Sequence, residues 1–377
     1  MSPSSLHELY AAGQSVWLDY IDRSMLFNGD LERRIREDLL MGMTSNPTIF
    51  EKALAEGTDY DAQLAAVPAE HTPWELFELI ATDDVRRACD IFAPVYERTN
   101  GADGFVSIEV SPGAADDADE TVAEAQRLWA MVDRPNVMIK VPGTPAGAVA
   151  VRRLIAEGIN VNITLLFALE SYRTVIDAWM SGLEARLAAG ESIDRVASVA
   201  SFFVSRVDTE GDKRIAARLT TASAEDAERL RALAGRLAIA NAQLAYALFT
   251  ESVASSRWQQ LAARGARVQR PLWASTSTKN PAYRDVRYVE ELIGPDTVNT
   301  LPPATLEAFR DHGEVRRTVD ADVTTARAVV AELDRLGVSL DEITRVLLVD
   351  GLASFAKSFD SLLAGLERKT RALAHAS

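Results

Sequence analysis

The chain has 377 residues, 47% hydrophobic and 25% charged, which is ample material for a core. A formal net charge of −15 argues against nucleic acid or an anionic membrane as partner. The single cysteine, Cys89, excludes an intrachain disulfide framework and suits a reducing cytosol.

Short apolar or alternating runs recur along the chain, at 15–20, 41–46, 105–110, 136–141, 159–166, 197–204, 270–276 and 296–301, and read as strands. Amphipathic stretches rich in Ala, Leu, Arg and Glu lie between them, at 72–99, 116–133, 145–157, 168–189, 223–265 and 280–293, and read as helices. After residue 314 the pattern is helical to the end, with amphipathic segments near 322–336 and 340–368. Eight strands alternating with helices predict a parallel sheet closed into an α/β (β/α)8 TIM barrel with additional helices. No glycine-rich dinucleotide fingerprint or P-loop follows any strand, which disfavours an open doubly wound sheet. No linker rich in Pro, Gly or Ser divides the chain. Residues 1–377 are therefore expected to form one barrel domain, with 314–377 a C-terminal helical extension packed on it.

The histidines His7, His71, His312 and His375 are scattered, and no Cys/His spacing or Asp-rich loop suggests a metal site. Neither a metal nor another cofactor is expected. The segment Met1–Ser5 has no basic or apolar region of a signal peptide, and the longest apolar runs fall short of a membrane span. A cytoplasmic location is expected.

Residues two apart on a strand share a face. This sets Phe105, Ser107 and Glu109 against Val106, Ile108 and Val110, and Asn160, Asn162 and Thr164 against Val161, Ile163 and Leu165. Each strand carries one apolar face and one face with polar or ionisable groups, which in a barrel would look inward. Lys140 stands out in Asn136-Val-Met-Ile-Lys-Val-Pro-Gly-Thr144: of six lysines it alone is flanked by Val, Met and Ile, while the other five lie in polar or helix-like surroundings. An unpaired ammonium is costly to bury, and a neutral amine is a nucleophile able to form a Schiff base with a carbonyl. A strand-end lysine that snorkels, or one paired with a carboxylate, would read the same way in this window. Polar groups nevertheless recur toward the carboxyl ends of successive strands, where barrel enzymes place their chemistry: Asp19, Asn46, Glu109, Lys140, Asn162 with Thr164, Ser201 with Phe203, and Ser275.

In that order, Asp19 after a hydrophobic strand, Thr44-Ser-Asn-Pro47, Ser107-Ile-Glu-Val110, Met138-Ile-Lys-Val-Pro-Gly-Thr144 and Gly158-Ile-Asn-Val-Asn-Ile-Thr-Leu-Leu-Phe167 resemble the transaldolase family. Ser201-Phe-Phe-Val-Ser-Arg-Val-Asp208 and Trp273-Ala-Ser-Thr-Ser-Thr-Lys-Asn-Pro281 continue the match, which covers roughly residues 15–310. The resemblance implies a barrel of the Schiff-base type that moves a dihydroxyacetone unit from a ketose phosphate to an aldose phosphate in the pentose phosphate pathway. It implies that Lys140 forms the imine at the ketose C2, that Asp19 takes the proton of the C4 hydroxyl during C3–C4 cleavage, and that Glu109 moves protons through a water held with Thr164. Asn46, Asn162 and Ser201 would bind sugar hydroxyls. Phe203 favours a transferase over the related fructose-6-phosphate aldolases, which carry tyrosine there. Arg206 and Ser275 would hold the phosphate; the family's usual arginine two positions on is Ser277 here, leaving Lys279 as the nearest cation. The partners so implied are phosphorylated sugars, with no nucleic acid or membrane, and the chain would be a monomer or homodimer. The competing expectations are a lyase releasing free dihydroxyacetone and an inactive sugar-phosphate-binding barrel.

Overall fold

In the computed structural model, which describes residues 4–67 and 71–376, eight strands form a closed parallel barrel in chain order. The leading residues Met1–Pro3, read above for a signal, lie outside the described residues. The strands are β1 (Gln14–Asp19), β2 (Gly42–Thr44), β3 (Phe105–Glu109), β4 (Val137–Pro142), β5 (Val161–Leu166), β6 (Ser198–Phe203), β7 (Arg270–Ala274) and β8 (Thr297–Leu301). Closure comes from β1 lying parallel to β8, with Gln14 opposite Thr297 and Leu18 opposite Leu301. All eight predicted strands form, with small shifts at their ends. β2 is the shortest because Ser45 and Asn46 leave the sheet: the Ser45 hydroxyl donates to the Ser107 carbonyl (2.8 Å), and the Asn46 side chain accepts from the Ile49 amide (3.1 Å) to cap the helix Pro47–Glu56.

The barrel interior is filled rather than open. Trp17 stands opposite Gly42, and a Cβ on Gly42 would lie 2.6 Å from the indole, so only glycine leaves room for that ring. Outward-facing Val, Ile and Leu of the strands meet a ring of helices in one continuous core. The predicted helix 223–265 is three helices, Ala224–Leu233, Leu237–Ala254 and Ser256–Ala262. It breaks at Gly235, whose φ is +68° and whose amide donates to Asp212 (2.8 Å), and at Ser255, which caps the third helix through the Trp258 amide. Of the predicted helix 280–293 only Arg287–Glu290 is helical, because the Asn280 side chain captures the Ala282 amide in a turn beside Pro281.

The C-terminal segment forms two helices, Val323–Arg335 and Leu340–Ala376. The second crosses the carboxyl end of the barrel from the helix Ser205–Leu219 to Pro47–Glu56. No single helix among the described residues is long and apolar enough to cross a membrane. One bent pair, Ala224–Leu233 with Leu237–Ala254, passes the same test jointly, and the inner faces of both are buried in this fold.

Candidate active site

The carboxyl ends of the strands open into a cavity of about 890 Å³, large enough for a phosphorylated sugar. All the sequence-derived site residues line it except Asn162. Strand register explains the gathering. Asp19 lies beside Thr44, and Glu109, Lys140 and Asn162 are successive neighbours across β3, β4 and β5. Residues far apart in sequence therefore gather at one end of the barrel, with Glu109 and Lys140 in the cavity and Asn162 beneath it.

At the base of the cavity the Lys140 side chain is buried, and its Nζ donates to Glu109 Oε2 (3.2 Å) and to the Ser45 carbonyl (3.2 Å). The lysine is thus paired, one of the two alternatives left open by its sequence window. Burial raises the Glu109 pKa above the ordinary carboxylate value; Lys140 opposes the rise and Asp19 adds to it. The Asp19 pKa is raised by burial as well, against the charge of Lys140 and a hydrogen bond from Thr44 Oγ1 (2.9 Å). Two buried carboxylates and one amine thus compete for few protons, an arrangement suited to shuttling them. Thr44 Oγ1 also contacts Thr300 Oγ1 (2.7 Å), so the hydroxyl that steers Asp19 is itself held by β8.

The floor is a chain of hydrogen bonds across three strands. Asn162 Nδ2 donates to Ser107 Oγ (3.0 Å), and Ser201 Oγ donates to Asn162 Oδ1 (2.7 Å). Asn162 is fully buried beneath the cavity. Its link to any ligand runs through Ser201, which lines the cavity and, having donated its proton to Asn162, is left as an acceptor. Thr164 lines the cavity with no hydrogen-bond partner for its hydroxyl among the described residues. Asn46 has committed its carbonyl oxygen to the helix cap, which leaves its amide hydrogens for a ligand.

Arg206 also lines the cavity, lies over the Phe203 ring at 5.4 Å and has no carboxylate partner among the described residues. Desolvation by the surrounding protein holds its pKa below the usual guanidinium value. Ser275 Oγ sits 3.1 Å from Ser205 Oγ in a residue held at φ +54°, a left-handed conformation that non-glycine residues adopt at a cost. Lys279 Nζ bonds Ser277 Oγ (2.6 Å), so its ammonium reaches back to the position two residues after Ser275. An unpaired guanidinium, hydroxyls and a second cation on one wall are an anion site in chemical character.

Several lining residues escaped sequence reasoning. Thr44 could have been found from its register beside Asp19. Arg23 and Lys52 add two cations, the first locked by Asp84 Oδ1 (2.7 Å) and stacked 4.2 Å from the Tyr60 centroid. Gly351, Ser354, Phe355 and Ser358 come from the C-terminal helix and carried no local signal. Lys369, one of the five lysines in polar or helix-like sequence surroundings, is largely buried, hydrogen-bonded to the Leu54 and Gly57 carbonyls and ion-paired with Asp61.

A closed parallel barrel with an amine and two carboxylates buried at the carboxyl end of its strands, in one cavity with an arginine that has no carboxylate partner among the described residues, has the arrangement of a barrel enzyme acting on carbonyl compounds. The Transaldolase/Fructose-6-phosphate aldolase family model matches residues 16–366, and the chain belongs to that family. It is 47% identical over 377 residues to the transaldolase of Trichodesmium erythraeum, covering 99% of both chains. It is 50% identical over 360 residues to that of Parafrankia sp. (95% of this chain and 96% of that one), and 49% identical over 362 residues to that of Thermobifida fusca (96% of each).

Proposed function

We infer that this chain carries out the transaldolase reaction, moving a dihydroxyacetone unit from sedoheptulose 7-phosphate or fructose 6-phosphate to glyceraldehyde 3-phosphate or erythrose 4-phosphate, as a transferase of the pentose phosphate pathway. The observation that carries this reading is the buried Lys140 amine, 3.2 Å from Glu109, in one cavity with Asp19 and an arginine that no carboxylate neutralises.

Lys140 adds to the ketose C2 carbonyl. The carbinolamine loses its C2 hydroxyl as water to give the protonated imine, with Glu109 supplying the proton through a water that Thr164 holds. Asp19 takes the C4 hydroxyl proton as the C3–C4 bond breaks, and the bonding pair is drawn toward the imine nitrogen. The aldose leaves, the remaining enamine attacks a second aldose, and the steps run back to free amine. Asn46 and Ser201 orient the sugar hydroxyls, with Asn162 setting Ser201 from below. Arg206, Ser275 and Lys279 hold the phosphate, and Phe203 itself has no hydroxyl to position another water. The whole chain is read as one domain, with 314–377 packed on the barrel, working in the cytoplasm as a monomer or homodimer on phosphorylated sugars, with neither nucleic acid nor membrane as partner.

Borohydride reduction in the presence of fructose 6-phosphate tests the core of this reading. The adduct mass is expected on Lys140, and Lys140→Ala is expected to abolish both adduct and turnover while retaining the fold. An adduct that persists in that variant and maps to another lysine overturns the assignment.

A further inference from the structure

The helix Leu340–Ala376 turns Gly351, Ser354, Phe355 and Ser358 toward the catalytic cavity. This i, i+3, i+4, i+7 spacing marks one face of a helix. The helix sits close: a Cβ on Gly351 would lie 3.1 Å from Leu165, the residue after Thr164, which is held at φ +59°. Beyond that contact the helix is fastened to the helix Pro47–Glu56, whose first turn Asn46 caps. Ser358 Oγ accepts from Thr48 Oγ1 (2.9 Å), and Phe359 packs against Trp74 (5.1 Å) and Phe77 (5.6 Å). A further fastening is Lys369. Its ammonium donates to the Leu54 carbonyl (3.1 Å) and the Gly57 carbonyl at the carboxyl end of that helix, and pairs with Asp61 (2.8 Å). A cation there also meets the negative end of the helix dipole.

Two side chains on this face are left for a ligand. Ser354 is exposed, and its hydroxyl has no hydrogen-bond partner among the described residues. Phe355 is half-buried and lines the cavity. Neither touches Lys140, Asp19 or Glu109 through any hydrogen bond, so neither belongs to the machinery of bond cleavage.

We propose that the Ser354–Phe355 face of the C-terminal helix selects the aldose acceptor and shields the dihydroxyacetone adduct from water, with Lys369 as the positioning residue that keeps the face in place. This rests on the transaldolase reading. After donor cleavage the enamine on Lys140 has two fates. Its C3 carbon attacks an acceptor aldehyde, forming the new C–C bond. Alternatively C3 takes a proton, water adds at C2, the C2–N bond breaks, and free dihydroxyacetone leaves the regenerated amine. Seating an acceptor against Phe355 and Ser354 favours the first fate, and the same side chains displace the water the second requires.

The test measures free dihydroxyacetone against transfer product from fructose 6-phosphate, with erythrose 4-phosphate or glyceraldehyde 3-phosphate as acceptor. Phe355→Ala is expected to raise the release-to-transfer ratio on the order of tenfold, the scale on which an apolar contact discriminates substrates, and to alter the preference between the two acceptors. Ser354→Ala is expected to alter acceptor preference with a smaller rise in release. Lys369→Met is expected to raise release, and Lys369→Arg to restore the wild-type ratio. Borohydride trapping on the wild-type chain is run alongside. Trapping with partition and preference unchanged in Phe355→Ala and Ser354→Ala overturns this inference alone, as does a Lys369→Met protein that melts earlier with an unchanged ratio, which would make the helix a strut. A wild-type chain that cannot be trapped removes the transaldolase reading and this inference together.

Discussion

The two ends of the barrel treat charge in opposite ways. At the amino end, Asp103 accepts from Ser15 Oγ (2.7 Å), from Trp17 Nε1 (3.1 Å) and from Arg270 (2.8 Å), so a buried carboxylate has hydrogen-bond donors and an opposite charge together. At the carboxyl end, Asp19 and Glu109 share one lysine, and Arg206 has no carboxylate partner among the described residues. The same residue types serve stability where the protein supplies their partners. Under the proposed function they serve binding and proton transfer where the substrate must supply the partners.

The sharpest probe of that contrast is removal of the mouth carboxylates. Asp19→Asn and Glu109→Gln are each expected to lower turnover by about 10²- to 10⁴-fold, the usual range for a general acid or base. The steps should separate: Asp19→Asn accumulates the borohydride-trappable donor adduct, whereas Glu109→Gln slows its formation. Because burial disfavours its ionised form, Asp19→Asn should melt no lower than wild type near neutral pH, whereas Glu109→Gln leaves the buried Lys140 without its carboxylate and should melt earlier. Equal loss of both steps in both variants would mean the proton transfers are not divided this way.

Asp103→Ala at the opposite end should behave in reverse. It leaves the half-buried Arg270 without its carboxylate partner, a change that costs up to about 3–5 kcal/mol. Denaturant titration should show this loss, with the kcat of the remaining folded enzyme near wild type. A large fall in kcat without loss of stability would break the comparison.

Asp208 lies between the two extremes. Its carboxylate accepts from the Ala238 amide (2.7 Å) and the Tyr288 hydroxyl (2.8 Å), both neutral, and burial raises its pKa to about 6. A carboxyl raised in the folded state binds a proton that the unfolded chain releases. Its contribution to stability is therefore full below the ordinary value of 3.8 and is lost as pH rises toward about 6. At 1.36 kcal/mol per pKa unit the loss is about 3 kcal/mol. Stability measured from pH 4 to 7 should show that decline in wild type and a flatter profile in Asp208→Asn.

The smallest effects belong to the anion wall. A charge-assisted hydrogen bond of about 1.5–3 kcal/mol makes Arg206→Ala weaken use of fructose 6-phosphate by roughly 10- to 150-fold, mainly in KM. Unphosphorylated dihydroxyacetone donors should be little affected. Lys279→Ala should show the same selectivity to a lesser degree, because an ammonium lacks the bidentate fork. An unchanged KM in Lys279→Ala would leave Arg206 and Ser275 to hold the phosphate.

Much of the site was legible in the sequence because strand chemistry is local. Alternation with period two assigned Glu109, Lys140 and Thr164 to the inward face, and the barrel's strand order placed them at one rim. The residues that could not be read were those whose role depends on a partner elsewhere. Asn46 reads as a sugar ligand, and only the turn into Pro47–Glu56 shows that its oxygen is spent on a cap. Asn162 has the inward phase of Lys140 and Thr164, yet its height in the barrel puts it under Ser201. Lys369 reads as a solvated lysine because its oxygen partners lie more than 300 residues away in sequence.

By itself, then, the sequence determined the eight strands, which face of each looks inward, and the one lysine set among apolar neighbours, since these follow from side-chain period and hydrophobicity within a few residues. Only the tertiary structure decided that Lys140 is paired with Glu109, that Asp103 is saturated while Arg206 is left without a carboxylate, and that the C-terminal helix walls the cavity. Those outcomes depend on barrel closure and on contacts between distant segments, where the energy of a charge is set by what surrounds it and not by its neighbours along the chain.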